Sequence, residues 1–405
     1  MSDDITIPPA TTRPVRLRPW WFLAGFAGGL AVMAALGRQA ANTDYHPGFT
    51  RFIPPISPEA SYYPTVNEMC AIVRARCRPD QILVIVGGNS VLLGVWQPAD
   101  VMWSKRLQDL LGDRYCVVNL AMRGASPGNT GAVVAEVLRR EFPRQIYIAN
   151  EKPATELSML GITVYRYAFW QAYFAGQLMS YPDRDRQVRE ELLDPANRAM
   201  ALDLAFVGLT DRFLHFSDFW NRMAFERLNT VPSLYAPAPP AMFRPRRIFE
   251  DTEGDGTNLT LDQRYWPSVR ETEMKILRGT TALAYERAPH GGWRLSGWTH
   301  FMVKDSYQQA FPKALRPRTL LLIGRDSPFF RRQLTKDEFA RNELSIRDAV
   351  ALLHAEGYAA MDYGADYENE DYGDRIHLAP SGGQKLAVEV AREVTAIAKK
   401  LDYLK

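Results

Sequence analysis

The segment that decides the fold is Ile82-Leu83-Val84-Ile85-Val86-Gly87-Gly88-Asn89-Ser90, an apolar run closed by two glycines, an asparagine and a serine. A short apolar run bounded by glycines is typical of a strand buried on both faces, as in a parallel sheet. The glycines allow a tight turn after the strand. Open α/β sheets carry their reactive groups at the carboxyl ends of strands, so we expect Ser90 at such an edge, with a plain Gly-Ser turn as the alternative.

Strands and helices alternate on both sides of this segment, which predicts an α/β fold built on a parallel sheet. The first half reads as helices near 65–77, 99–112 and 129–141 and strands at 82–86, 115–120 and 145–149. The pattern returns as a strand at 319–323, a helix near 335–356, a strand near 358–362 and a helix near 381–400. Between them, residues 155–317 predict a mostly helical insertion, with helices near 160–180, 184–225 and 260–278 folding over one sheet edge.

The predicted insertion is rich in aromatic residues. One group is Tyr165, Tyr167, Phe169, Trp170, Tyr173 and Phe174. Such rings stack on sugars, cover an acyl chain, contact a membrane partner or simply form the core of a helical lid. A second group, Phe213, His215, Phe216 and Trp220, predicts an aromatic packing face or an acyl pocket.

The amino-terminal region predicts a membrane anchor. Residues 20–37 read WWFLAGFAGGLAVMAALG, an uncharged run at the short end of what crosses a hydrocarbon core of about 30 Å. Arg13, Arg16 and Arg18 precede it, so the positive-inside rule predicts a cytoplasmic tail at 1–19 and an outward-facing remainder. A cleavable signal peptide and a buried soluble helix are the alternatives.

We therefore expect a single-pass protein of the bacterial inner membrane, with its main domain in the periplasm or at the cell exterior. Residues 38–78 form a linker and first helix, and 79–405 form the domain that the insertion interrupts. The 49 basic and 46 acidic residues give a net charge of +3, too balanced to indicate a nucleic-acid partner.

The three cysteines do not have the sequence neighbours of a zinc site, so we expect neither a metal nor a cofactor. Cys70 and Cys77 are seven residues apart in a predicted helix, about 10 Å along its axis and too far for a disulfide within it. We interpret both as buried free thiols. A bridge from Cys116 to another segment stays open.

Near the carboxyl end, Asp374-Arg375-Ile376-His377 precedes Leu-Ala-Pro-Ser-Gly-Gly and the last helix. A spacing of three residues lets one short loop present both side chains to one cleft. A carboxylate that binds one imidazole nitrogen leaves the other free to take a serine proton. The motif therefore predicts a base for Ser90, although Asp-x-x-His also occurs by chance.

Ser90 at the first strand end and Asp-x-x-His at the last make the chain resemble the SGNH, or GDSL-like, hydrolase superfamily. Two further stretches are similar to the second and third blocks of that superfamily, Asn119 to Gly124 and Ile146 to Asn150. The resemblance covers about residues 80–150 and 318–400. It implies a three-layer α/β/α sandwich of flavodoxin-like type.

The resemblance also implies roles for individual residues. Ser90 is the nucleophile, His377 the base and Asp374 its partner, and the oxyanion hole is formed by Ser90, Gly124 and Asn150. Two blocks depart from the pattern, because Gly88-Asn89-Ser90 stands for Gly-Asp-Ser and Ile148-Ala149-Asn150-Glu151 for Gly-x-Asn-Asp. For Asn150, a strand-end turn residue is the alternative to the oxyanion role.

Arg325 and Asp326 follow the 319–323 strand on the same predicted edge as Ser90. They are candidates for substrate contact, with a salt-bridged turn as the other interpretation.

An SGNH domain on one outward-facing anchor is similar in layout to the DltD, AlgJ and AlgX types, which work with membrane-bound O-acyltransferases on cell-surface polymers. The resemblance implies an esterase or O-acyltransferase that acts on envelope or exported polysaccharide, with such an acyltransferase as its partner. A free-standing carboxylesterase or lipase and a catalytically inert glycan-binding module remain alternatives.

Overall fold

The computed structural model describes residues 19–46, 48–52, 63–151, 165–196, 198–230, 267–290, 293–296 and 314–405. Its strands are β1 (Ile82–Val86), β2 (Tyr115–Asn119), β3 (Gln145–Glu151), β4 (Tyr285–Arg287), β5 (Trp293–Leu295), β6 (Thr319–Gly324) and β7 (Ala359–Tyr363). Short 3-10 turns are Ala99–Val101, Leu138–Arg140, Arg316–Arg318 and Asn369–Asp371.

The helices of the first part of the chain are α1 (Pro19–Ala41), α2 (Val66–Arg76), α3 (Ser90–Leu93), α4 (Trp103–Leu111) and α5 (Thr130–Val137). The middle contributes α6 (Arg166–Phe174), α7 (Pro182–Leu193), α8 (Arg198–Leu214), α9 (Phe216–Thr230) and α10 (Pro267–Ala284). The last part contributes α11 (Pro328–Arg331), α12 (Lys336–Ala355) and α13 (Pro380–Lys400).

Five strands form one parallel sheet in the order β2-β1-β3-β6-β7. The α/β prediction is therefore confirmed. β1 lies between β2 and β3, with Val86 opposite Asn119 on one side and Ile148 on the other. Because all five strands run the same way, the loops after β1, β2, β3, β6 and β7 emerge at one edge.

Helices pack against both faces of this sheet. Ile82, Val84 and Val86 of β1 lie in a core that includes residues of α4 and α13. Leu83 and Ile85 point the other way, into a core with residues of α2, α5 and α12. A parallel strand covered on both faces reads as a continuous apolar run, which is why ILVIV carries no polar alternation.

The predicted helices and strands flanking the insertion are found within a few residues of their expected bounds. The predicted helix at 184–225 is instead three helices, α7, α8 and α9, with breaks after Leu193 and at His215, whose φ of 51° is left-handed. The short antiparallel pair β4–β5 was not predicted. Residues 155–164, 231–266 and 297–313 of the predicted insertion lie outside the described residues, so its role as a separate unit stays a prediction.

The aromatic groups divide between interior and surface. Trp170 is 1% exposed and stacks on Phe174 at 5.7 Å between ring centroids, which supports the interpretation of a helical core for the first group. Of the second group, Phe213 and Trp220 are 70% and 54% exposed, whereas His215 is partly buried and its Nδ1 lies 3.0 Å from Asp218 Oδ2.

α1 is long and apolar enough to cross a membrane, as predicted for residues 20–37. Only 6% of its apolar window is buried, which is unlike the core helix of a soluble protein. The predicted cytoplasmic tail at 1–19 lies almost wholly outside the described residues.

Buried polar contacts fix the chain after α1 to the domain. His46 Nε2 and Glu68 Oε1 are 2.5 Å apart, and both side chains are buried. The Thr65 hydroxyl donates to Asp218 of α9 at 2.5 Å and also caps α2 by accepting from the Glu68 N–H at 3.0 Å. Because buried polar groups are costly to leave unpaired, these bonds specify how α9 sits on α2.

The interpretation of Cys77 as a free thiol is wrong, because Cys77 and Cys116 form a disulfide. Cys77 follows the end of α2 and Cys116 lies in β2, with their Cα atoms 5.6 Å apart. The sequence argument excluded only a bond within the helix, and the partner is supplied by the neighbouring strand. Cys70 is a buried free thiol, as predicted.

We expect the disulfide to stabilise the fold because it closes a loop across 39 residues of sequence separation. Replacing both Cys77 and Cys116 by serine should lower the free energy of unfolding by about 3 to 4 kcal/mol, measured by urea denaturation. Reductant should destabilise the natural chain and leave the double variant unchanged. Thiol titration after denaturation should find one free thiol without reductant and three with it; three in both conditions would contradict the pairing.

Candidate active site

Ser90 lies immediately beyond β1, at the carboxyl edge of the sheet. Gly87 and Gly88 make the turn, and Gly88 has a φ of 82°, a conformation that side chains disfavour. Ser90 is the first residue of α3, whose N-cap is Asn89; the Asn89 Oδ1 accepts from the Val91 N–H at 3.0 Å. The side chain of Ser90 is therefore presented by a capped helical turn.

The prediction placed Asn150 at this edge, and it lies there against the serine turn. Its Oδ1 accepts from the Asn89 N–H at 3.1 Å, and its Nδ2 donates to the Asn89 Oδ1 at 2.8 Å. Asn150 is only 5% exposed. The contacts give it a structural function, holding the Asn89 turn, while its predicted oxyanion role stays a prediction.

Gly124 follows β2 in a loop that runs beside the serine turn. Met122 N–H donates to Gly88 O at 3.0 Å, which fixes the start of this loop. Gly124 itself is exposed with a φ of 69°. Tyr165 donates its hydroxyl to Arg123 O at 2.6 Å and so holds the loop from the other side.

His377 and Asp374 meet Ser90 although they come from the far end of the chain. His377 Nε2 is 2.7 Å from Ser90 Oγ, and His377 Nδ1 is 2.7 Å from Asp374 Oδ2. An ionised carboxylate only accepts, so Nδ1 carries the hydrogen of that pair and Nε2 is left to accept from the serine hydroxyl. Ser90, His377 and Asp374 thus form one hydrogen-bonded chain.

Four donors hold the Asp374 carboxylate. Its Oδ1 accepts the N–H groups of Ile376 and His377, both at 2.9 Å. Its Oδ2 accepts from His377 and from the indole Nε1 of Trp96, the latter at 3.1 Å. Burial alone would raise the pKa of Asp374, but the charge of His377 and the hydrogen bonds from His377 and Ile376 outweigh it and hold the pKa well below its usual range.

The sequence did not indicate Trp96. It lies shortly after α3 with a φ of 74°, unusual for a residue other than glycine, and its ring fills the space beside Gly373. A left-handed bulky residue is costly and persists where the surroundings determine it. Nothing in the sequence around Trp96 distinguishes it from an ordinary loop tryptophan.

Arg325 and Asp326 are paired with other side chains of the protein. Arg325 binds Glu343 and Asp362, the latter at 2.7 Å, which matches the predicted salt-bridged turn. Asp326 is fully buried and binds Arg375. The buried Asp326–Arg375 pair fits the interpretation of a salt-bridged turn, and the substrate contact stays a prediction.

Arg375 explains why Asp326 is buried there. Its guanidinium also binds Glu273 of α10 at 2.5 Å, and its carbonyl accepts the Ser327 N–H at 2.8 Å. Arg375 lies between Asp374 and His377 in the sequence, so these bonds hold the loop that carries both. Within the described residues, no group of three or more His, Cys, Asp or Glu side chains is arranged to hold a metal.

No protein-family model matches the chain, and no curated protein matches it. A solved structure, the inhibitor-bound form of the M. smegmatis aryl esterase, aligns over 78% of this chain and 99% of its own at 12% identity, with a TM-score of 0.29. A TM-score this low establishes neither a shared fold nor a shared activity. The site is interpreted from its own geometry.

The serine turn should tolerate no side chain at Gly88. A Cβ there would lie 2.5 Å from Asn150 Oδ1 and 3.0 Å from the Asn150 backbone nitrogen, in addition to the strain of a left-handed alanine. Gly88→Ala should cost about 2 to 4 kcal/mol of unfolding free energy, measured by denaturation.

Gly124→Ala is the matched control, because Gly124 is also left-handed but no atom of the described residues lies within 4 Å of its added Cβ. It should cost only about 1 to 2 kcal/mol. Equal losses in the two variants would mean that Asn150 does not pack against the serine turn as described.

Proposed function

We propose that this chain is a membrane-anchored SGNH-type serine enzyme that forms an acyl-enzyme on Ser90 and moves O-acyl groups of cell-envelope or exported polysaccharide. The observation that carries the proposal is the hydrogen-bonded chain of Ser90, His377 and Asp374, with both links at 2.7 Å. These distances lie within the range in which a base can take a proton from its nucleophile.

In the first half of the reaction, Ser90 Oγ attacks the acyl carbonyl carbon while its proton passes to His377 Nε2. The tetrahedral intermediate collapses, the ester C–O bond breaks, and the leaving alcohol takes the proton from Nε2. The depressed pKa of Asp374 keeps its carboxylate ionised, so that it stabilises the imidazolium that forms between these steps. An acyl ester on Ser90 results.

In the second half, an incoming hydroxyl loses its proton to His377 and attacks the same carbonyl carbon. Water gives a carboxylic acid, and a sugar hydroxyl gives a new O-acyl sugar. In either case the tetrahedral intermediate collapses, the bond between the acyl carbon and Ser90 Oγ breaks, and Ser90 recovers its proton from His377.

The oxyanion of each intermediate needs hydrogen-bond donors. The backbone N–H groups of Ser90 and Gly124 and the side-chain amide of Asn150 fill this role in the proposal. The contact of Met122 N–H with Gly88 O supports it by holding the Gly124 loop beside the serine turn. Loss of one such donor typically costs about 2.7 to 4 kcal/mol of transition-state stabilisation.

The SGNH assignment is supported by the arrangement of its four sequence blocks. The serine turn follows β1, the Gly124 loop follows β2, Asn150 is the penultimate residue of β3, and the Asp-x-x-His loop follows β7. The order β2-β1-β3-β6-β7 is the flavodoxin-like order, and helices on both faces suit a three-layer sandwich. Asn89 stands where the superfamily usually has an aspartate. Its Oδ1 accepts hydrogen bonds from the Val91 N–H and from Asn150 Nδ2, which an aspartate oxygen could also accept.

An envelope location is supported by two independent features. α1 is long and apolar enough to anchor the chain, and arginines precede it in the sequence, which favours an outward-facing domain. The Cys77–Cys116 disulfide suits an oxidising compartment outside the cytoplasm. In this setting a polymer hydroxyl is the acceptor, and a membrane-bound O-acyltransferase is the partner that supplies the acyl group.

Ser90→Ala should abolish acyl-ester turnover. Using the full chain in detergent with p-nitrophenyl acetate, we expect kcat/KM to fall about 10⁴- to 10⁶-fold. Ser345→Ala is the control, since in the described part of the chain its hydroxyl donates to Asn342 O within α12, away from Ser90 and His377. Unchanged turnover in Ser90→Ala would exclude the proposed nucleophile. No turnover in the natural chain or in Ser90→Ala would favour the alternative of a catalytically inert glycan-binding module.

The acceptor can be identified from the acyl-enzyme itself. After brief exposure to the ester, intact-mass spectrometry should find the acyl group on the natural chain and none on Ser90→Ala. Adding oligosaccharides of uronic acids or hexoses should speed the loss of the acyl group and give acylated sugar. Discharge at the same rate in water alone, with free acid as the product, would instead identify a hydrolase.

A further inference from the structure

α8 has its large apolar residues on the outside. Its buried face consists of Ala201, Ala205, Gly208 and Asp211, and Gly208 packs against Trp170 and Phe174 of α6. Its outer face carries large apolar side chains at spacings of four, three and four residues, which keeps them in one stripe. They are Leu202, Phe206, Leu209 and Phe213, at 51%, 72%, 43% and 70% exposure.

The stripe continues onto the start of α9. Phe216, Trp220 and Met223 are also exposed and are spaced by four and three residues. The rings of Phe216 and Trp220 meet edge to face at 5.9 Å. A contiguous apolar surface of this kind marks a contact with a membrane or another protein.

The α8–α9 corner is held firmly. The Asp211 carboxylate accepts from Ser217 N–H and from Gln171 Nε2 of α6, both at 2.7 Å. Asp218 accepts from Thr65 and from Asn67 of α2. The apolar stripe is therefore an ordered surface of the folded domain.

This surface is continuous with α1. α1 packs against both α8 and α9, and Gly37 near its end lies in close contact with His215 at the corner. Phe213 lines the same cleft as Ala34 and Ala35, the last part of the apolar run. The stripe therefore begins at the level where α1 would leave the hydrocarbon.

The cleft between α1 and α8 is cationic. It measures about 720 Å³, and Arg38, Arg74 and Arg212 line it with no acidic side chain among its lining residues. Arg74 is paired with Glu141, whereas within the described chain no carboxylate pairs with Arg38 or Arg212. Arginines at the end of a membrane helix suit the phosphates of anionic lipids.

We propose that α8 and the first turns of α9 rest on the outer leaflet of the bilayer that α1 crosses. Phe206, Phe213 and Trp220 enter the interface, and Arg38 and Arg212 lie among anionic lipid headgroups. The inference rests on the anchoring by α1 proposed above. Aromatic residues favour this depth of a membrane, and the continuity with α1 selects the bilayer over another protein surface.

Site-specific labelling of the full chain in liposomes tests the surface. Single cysteines are introduced by Phe206→Cys and Phe213→Cys, with Leu23→Cys reporting on the anchor and Val388→Cys as the control. Val388 is an exposed apolar residue of α13, which packs against the opposite face of the sheet. Cys77 and Cys116 are bonded, and burial raises the pKa of Cys70 to about 12, so the introduced thiol is the reactive one.

Each protein carries an environment-sensitive fluorophore and is reconstituted in liposomes of phosphatidylcholine and phosphatidylglycerol. Nitroxide-bearing acyl chains should quench labels at 206, 213 and 23 several-fold more than the label at 388, and iodide should show the reverse order. Replacing phosphatidylglycerol by phosphatidylcholine should reduce quenching at 206 and 213 only. Equal quenching at 206 and 213 in liposomes with and without phosphatidylglycerol would exclude the contact with anionic headgroups.

The outcomes separate the two proposals. Quenching at 23 with iodide access at 206 and 213 would overturn the membrane surface and leave the anchor intact. No lipid quenching at 23 would refute the anchor. Labels at 206 and 213 shielded from both quenchers would mean that a second copy of the chain covers the stripe, which also overturns the proposal.

Discussion

The candidate active site depends on one hydrogen bond between residues 287 positions apart, Ser90 Oγ to His377 Nε2. Such a bond forms only if the surrounding structure holds each of the two side chains in position. β1 fixes Ser90, because it pairs with strands on both sides and its side chains fill a core on each face. The buried Asp326–Arg375 pair and the Gly373 N–H to His377 O bond of 2.8 Å fix the opposite loop.

Much of this arrangement could be predicted because it follows from local pattern and from parallel topology. An uninterrupted apolar run such as Ile82–Val86, bounded by glycines, is typical of a strand covered on both faces. Once the strands are parallel, their carboxyl ends share an edge, so Ser90, Asn150 and the Asp374–His377 loop fall together without knowledge of side-chain contacts. The pairing of Ser90 with His377 and Asp374 could be expected from their positions together with the resemblance to the SGNH superfamily, since neither the Gly-Ser turn nor Asp-x-x-His is specific by itself.

What could not be predicted are the contacts that depend on packing between distant elements. Trp96 reaches Asp374 only because Gly373 leaves room for its ring. Cys77 finds Cys116 because α2 ends over β2, a relation that helical spacing does not contain. For Asp326 the sequence allowed either a substrate contact or a salt-bridged turn, and its partner Arg375 lies on a loop that the local sequence does not place beside it. In each case the role of the residue depends on a contact with a residue far away in the sequence, which the local sequence does not indicate.

The proposed membrane surface and the proposed oxyanion loop are linked by a short series of contacts. α8 packs on α6 through Gly208, and Tyr165, just before α6, donates to Arg123 O next to Gly124. A single membrane helix does not by itself set the tilt of the domain relative to the bilayer plane. Seating α8 on the lipid would limit that tilt. Through α6, the same contact would set the direction in which the Ser90 edge faces relative to the membrane, which suits an acyl donor embedded in the bilayer.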